Sequence, residues 1–252
     1  MAGHSKWANI KHKKGKADAA RGKIFSKIAK EIMVAASQGG GNVDDNITLR
    51  ALVQKAKGVS MPKDNIDRAI KKGTGELEGG KLEEGSYEGY AAGGIAVVVR
   101  VLTDNKNRSV AEVRHAFTKA NASMADQGAV SRMFQRKGQI LIDTDKTDEE
   151  TLMDLVLEAG AEDLKTEHEH FEVITDPHDF DVVSEAITTA GIDMADSAIT
   201  LIPDLVVEVT DLDQAKSIMR FVDALEELDD VQDVYTNFDI SDEIAAQLEE
   251  EE

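Results

Sequence analysis

The chain has 252 residues, with 29 Lys and Arg against 49 Asp and Glu for a formal charge of −20, and its 41% hydrophobic content is enough to build two or three cores. It contains no cysteine, which excludes disulfides, thiolate catalysis and Cys-ligated zinc or iron–sulfur centres and suits a reducing interior. No stretch approaches the ~20 apolar residues of a membrane span, and no apolar run follows the N-terminal charges, so a soluble, cytoplasmic protein is expected.

The charge is segregated along the chain: residues 1–75 carry +10, residues 76–137 carry +1, and residues 138–252 carry −31. The N-terminal arm holds Lys6, Lys11, Lys13, Lys14 and Lys16 with His4 and His12. That spacing is too dense for an amphipathic helix to bury and suits an anionic partner that exchanges its counterions for lysines. Trp7, the one Trp of the chain, could stack on an unpaired base, or else anchor the arm on the first helix. A solvated terminus with no partner is the plain alternative.

Behind the arm, Ile24, Phe25, Ile28, Ile32 and Met33 recur at helical spacing from about Asp18 to Gln38, with Lys23, Lys27 and Lys30 on another side and Gly39-Gly40-Gly41 as the stop. Arg21, Lys23 and Lys27 therefore join the arm as expected phosphate contacts. A second helix is predicted from Asp45 to Lys57 and a third from Pro62 to Gly73. Thr74 to Ser86, rich in Gly and Glu, reads as a linker or exposed loop.

Ile95–Leu102 is β-branched and strand-like, Ser109–Asn121 is helical, and Ala129–Phe134 reads as a further strand. Residues 138–202 then give strand, helix, strand, strand, helix, strand, the split βαβ order. The strand, helix and strand of 205–235 supply half of a second such unit, which residues 95–134 would complete. The expectation is an α+β protein: a three-helix N-terminal domain with its basic arm (1–75), then two ferredoxin-like domains, one (76–137 and 203–240) interrupted by the other (138–202). Residues 241–252 are expected to form a frayed acidic tail.

Arg108 and Arg114 are further nucleic-acid candidates on the middle domain. Gly75-Glu-Leu-Glu-Gly-Gly-Lys81 approaches a phosphate loop but lacks the hydroxyl residue after Lys81 and follows a helix. His168 and His170 share a strand face without a clear third ligand, so no metal site is assigned. The acidic runs 143–150 and 226–230 lack EF-hand spacing and read as solvated helix ends. His115 reads as structural or nucleic-acid-facing. No catalytic motif is present, and neither a cofactor nor a small-molecule substrate is implied; a metal-dependent enzyme using His168 and His170 or the acidic runs is the rival reading.

Several segments together carry a resemblance: Met1-Ala-Gly-His-Ser-Lys-Trp-Ala-Asn-Ile-Lys-His-Lys13, Arg21-Gly-Lys-Ile-Phe-Ser-Lys-Ile28, Met61-Pro-Lys-Asp-Asn-Ile-Asp-Arg-Ala-Ile70, Leu102-Thr-Asp-Asn-Lys-Asn-Arg-Ser-Val-Ala-Glu-Val-Arg114 and Leu228-Asp-Asp-Val-Gln-Asp-Val-Tyr-Thr-Asn-Phe238. In these the chain resembles the YebC/PmpR family. The resemblance implies a helical N-terminal domain and two α+β domains. It also implies a non-enzymatic, DNA-binding transcriptional regulator, or a translation factor acting on the ribosome and its RNA, and it supplies no catalytic residue. Tyr90-Ala-Ala-Gly-Gly94 and Asn121-Ala-Ser-Met-Ala125 depart from the family pattern at turns.

Overall fold

The structure is a computed structural model and describes residues 18–79, 81–166 and 170–250. It opens with helices α1 (Asp18–Gly39), α2 (Ile47–Gly58) and α3 (Lys63–Gly73). Ile28, Ile32, Ala35 and Ala36 line one stripe of α1 and are buried against Leu49, Val53 and Ala56 of α2 and Ile66 and Ala69 of α3. Gly40, at φ +83°, closes α1 in the left-handed conformation. Buried Asn46 then caps α2 by accepting from the Leu49 N–H at 3.0 Å, while its amide donates to the carbonyls of Ala35 and Gly40, both at 2.9 Å. One side chain thus fixes the α1–α2 corner. A Cβ on Gly73 would overlap the Met33 carbonyl, so α3 can approach α1 this closely only with glycine there.

The middle unit is built on a four-stranded sheet of β1 (Glu83–Tyr90), β2 (Ala96–Thr103), β3 (Ser123–Ala125) and β9 (Val231–Thr236), in the order β3-β1-β2-β9. Helices α4 (Lys106–Lys119) and α7 (Leu212–Glu226) cover one face, where Val97, Val99, Val101, Phe117, Ile218 and Phe221 form the core. The Phe117 and Phe221 rings meet edge to face at 4.9 Å.

Three expectations change here. Residues 83–86 are not linker but the first half of β1, paired from Glu83↔Thr103 onward. Only Glu88, Gly89 and Tyr90 of β1 also pair with β3, so its first half is a sheet edge, where charged residues are tolerated and the apolar signature is missing. The third strand is Ser123–Ala125 rather than 129–134. Val130 is wholly buried in a loop, held because the Glu88 carboxylate accepts the N–H groups of Gly128, Val130 and Ser131 at 2.7–2.9 Å. Finally β8 (Val207–Val209) stays outside the main sheet and pairs in parallel with β10 (Phe238–Ile240), while in the main sheet β2 and β3, joined by α4, flank the antiparallel β1, a split βαβ step.

Residues 242–250 are not a frayed tail. They form α8 (Asp242–Glu250), whose Ile244 and Leu248 join the middle core.

The inserted unit runs β4 (Phe134–Asp143), α5 (Glu149–Glu158), β5 (Asp163–Thr166), β6 (His170–Thr175), α6 (Phe180–Thr189) and β7 (Asp196–Pro203). Its antiparallel sheet has the order β5-β6-β4-β7, the split βαβ arrangement read from the sequence. Ile140, Ile142, Val156, Val173, Val183 and Ile187 form its core beneath α5 and α6. β4 and β7 remain paired as far as Phe134↔Pro203, which makes the two chain crossings a continuous ladder rather than a loose hinge.

Candidate nucleic-acid interface

Of the expected phosphate contacts, Lys6, Trp7, Lys11, Lys13, Lys14 and Lys16 lie outside the described residues, as does the side chain of Arg21. Lys23 and Lys27 are described, and both are engaged. They share a stripe of α1 with Lys30 at i, i+4 and i+7. Lys23 Nζ donates to the Glu227 carbonyl at 3.1 Å, and Lys27 Nζ to the Gln232 carbonyl at 3.0 Å. Lys30 Nζ reaches the carbonyls of Leu102 (3.3 Å) and Asp229 (2.7 Å) and the Asp230 carboxylate (3.0 Å). On the same side Glu31 meets Arg100 at 2.8 Å, and Arg100 also pairs with Asp233 at 2.7 Å and Glu84 at 3.3 Å. The lysine face of α1 is therefore the seam between the helical and middle units.

Asp230 is the hub of that seam. Besides Lys30, it accepts from Thr103 Oγ1 at 2.9 Å and Ser109 Oγ at 2.7 Å, and from the Arg108 guanidinium, whose Nη2 reaches both carboxylate oxygens at 2.7–2.9 Å and whose Nε reaches one at 3.2 Å. Its side chain is 3% exposed. Burial alone would push the carboxyl up, but the hydrogen bonds from Ser109, Lys30, Arg108 and Thr103 override it and hold the group far below the usual carboxylate range. The acidic run 226–230, whose sequence reads as a solvated helix end, thus closes on a buried residue.

Arg108 is committed within the fold, with a further contact to Asp104 at 2.9 Å. Asn105 caps α4 by accepting from the Arg108 N–H at 3.2 Å. Asn237 does comparable work nearby, accepting from the Ala96 N–H at 2.8 Å and donating to the Leu205 carbonyl at 3.3 Å. The segments 102–114 and 228–238 therefore supply joints. Arg114, on the outer side of α4, is exposed, as is His115.

The cations left facing solvent in the helical unit are ones the sequence reading passes over: Lys57 on α2 and Lys63, Arg68, Lys71 and Lys72 on α3, all solvent-facing. Their signal is available in the i, i+4 pair Arg68/Lys72 opposite the buried Ile66 and Ala69. With the arm they make the helical unit the cationic end of a molecule whose inserted unit is strongly acidic.

The other candidate chemistries find no geometry. The glycine-rich segment 75–81 leads into strand β1, not into the helix a phosphate loop requires. His168 lies outside the described residues, and His170 sits 3.5 Å from Asp143. Among the described residues no three His, Asp or Glu side chains gather as a metal site, and no helix is long and apolar enough to cross a membrane.

Comparison with known proteins agrees along the whole chain. Residues 5–76 match the TACO1/YebC protein N-terminal domain, and residues 82–238 match the TACO1/YebC second and third domain. A relative from Desulfatibacillum aliphaticivorans named "Probable transcriptional regulatory protein" is 54% identical, with 96% of this chain and 98% of the relative covered. One of the same name from Halothermothrix orenii is 50% identical over 100% of both chains. A crystal structure of a conserved hypothetical protein from Aquifex aeolicus superposes with a TM-score of 0.86 at 46% identity, covering 95% of this chain and 99% of that one. The chain belongs to the TACO1/YebC family.

Proposed function

We propose that this protein is a non-enzymatic, cytoplasmic regulator of gene expression that binds nucleic acid through the helical unit and its N-terminal arm. The contacts would be Lys6, Trp7, Lys11, Lys13, Lys14, Lys16 and Arg21 from the arm and the start of α1, with Lys57, Lys63, Arg68, Lys71 and Lys72 as the surface behind them and Arg114 as an outlying contact. The carrying observation is the charge division: +10 over residues 1–75 against −31 over residues 138–252. A polyanion is drawn to the first and repelled by the second, which restricts docking to one end of the molecule. The names of the relatives support the regulator reading.

Between DNA and ribosomal RNA, one observation favours RNA. Sequence readers of duplex DNA present a helix whose Arg, Asn or Gln side chains meet base edges. Here the exposed cations of α2 and α3 are mostly lysines, which grip phosphate without reading bases. Co-sedimentation with ribosomes over a salt series, beside retardation of DNA duplexes in the same buffers, is the test. Ribosome association at low salt that fades as salt rises is expected. A protein that stays unbound to ribosomes at low salt while retarding duplex DNA would return the assignment to transcription.

A further inference from the structure

The lysine stripe of α1 already has an anionic partner, and that partner belongs to the chain itself. Lys23, Lys27 and Lys30 spend their ammonium protons on the turn after α7 and the start of β9, a stretch that carries Glu226, Glu227, Asp229, Asp230 and Asp233. Main-chain carbonyls and a carboxylate take the place that phosphate oxygens would occupy. The seam is polar: the apolar cluster of the helical unit and that of the middle unit share no residue among those described. Separating the two units would therefore expose ion pairs and carbonyls, which water can solvate, rather than a hydrophobic face.

We propose that this seam is an autoinhibitory latch, in which the acidic turn 226–233 holds the α1 lysines until a phosphodiester backbone competes for them. It rests on the nucleic-acid reading above and adds the regulation of that site. In the latched form the arm and the exposed cations of α2 and α3 make the first contact. The phosphates then take over Lys23, Lys27 and Lys30, and the helical unit swings away from the middle sheet. Because binding must draw on the open form, the apparent affinity is lowered by the fraction of molecules that are open, and weakening the latch raises it. The ends of the latch that can be changed without touching a lysine are Asp230 and Glu31. Glu31 bridges Arg100 at 2.8 Å and Lys55 at 3.6 Å.

The chain has no cysteine, so a donor–acceptor dye pair can be placed on the full protein at Gln54→Cys and Ala111→Cys, exposed positions on α2 and α4. Energy transfer would be read without ligand and with a mixed-sequence RNA or a DNA duplex, for the parent, D230N, E31Q and the control E158Q, which removes an exposed acid on α5 of the inserted unit, outside the seam and the cationic surface. Transfer should fall when nucleic acid saturates the parent. D230N and E31Q should start at lower transfer and bind more tightly than E158Q, by up to about tenfold. If D230N fails to fold, E31Q alone carries the comparison. Saturable binding with unchanged transfer, and variants that bind no more tightly than E158Q, would overturn the latch. Absence of binding by every form would remove the functional reading and the competition with it.

Discussion

Asp230 concentrates more of the structure than any other single side chain. Five donor groups converge on a carboxylate that is 3% exposed, and they come from α1, the end of β2 and the first turn of α4. Replacing it by alanine removes their shared acceptor and leaves Lys30 and Arg108 facing a void. A loss of about 3 kcal/mol, read from the urea midpoint, is expected. The depressed carboxyl also fixes a pH dependence. Its contribution is complete above the unfolded value of about 4 and is lost as pH falls from there toward the lower folded value. Glu88 acts with the same sign: burial pushes its carboxyl up, and the N–H groups of Gly128, Ser131 and Val130 more than reverse this. Acid unfolding monitored by circular dichroism should therefore begin below about pH 4 in the parent and show a weaker pH slope in the D230A variant.

At the level of elements, α8 tests whether the C-terminus is structural. Ending the chain at Ser241 uncovers the apolar surface beneath Ile244 and Leu248, 4% and 9% exposed, and should cost about 2–4 kcal/mol by thermal or urea unfolding. An unchanged midpoint would restore the picture of a solvated tail. That helix also shows where the sequence is hard to read. Ile244 and Leu248 are its only large apolar residues, with Ala245 beside them and Asp, Glu and Gln around, a pattern too sparse to mark a packed face without the core it meets. β1 is hidden for a related reason, because Glu83, Glu84, Gly85 and Ser86 lie where β1 has a neighbour on one side only. Val130 misleads in the opposite direction: its burial comes from a loop pinned by Glu88, a partner 42 residues away that no local pattern reveals. The helices of the first unit and the split order of the inserted unit are legible, since apolar periodicity and glycine stops are local signals. Among site residues, the cationic character of the first unit is plain. The commitment of Lys23, Lys27 and Arg108 to carbonyls and carboxylates more than 100 positions away is not.

For the molecule as a whole, two appended units share one face of the middle sheet. The inserted unit adjoins the end marked by Ala96, Val98, Tyr235 and Phe134, and α1 docks at the end marked by Arg100 and Asp233. In the latched arrangement the cationic unit and the acidic inserted unit therefore flank opposite ends of that face. Neutralising Lys57, Lys71 and Lys72 to Gln should weaken binding of any nucleic acid by a similar factor whatever its sequence, with no change in fold. A loss confined to particular sequences would point to base reading instead. The central claim, that the basic end grips phosphates, is tested most directly by the salt dependence of binding in the full chain and in a form lacking residues 2–16. The slope of log K against log salt should be steep in the full chain and shallower in the shortened one, by about 0.7–0.9 for every phosphate that the arm no longer neutralises. Equal slopes and equal affinities in the two forms would contradict it.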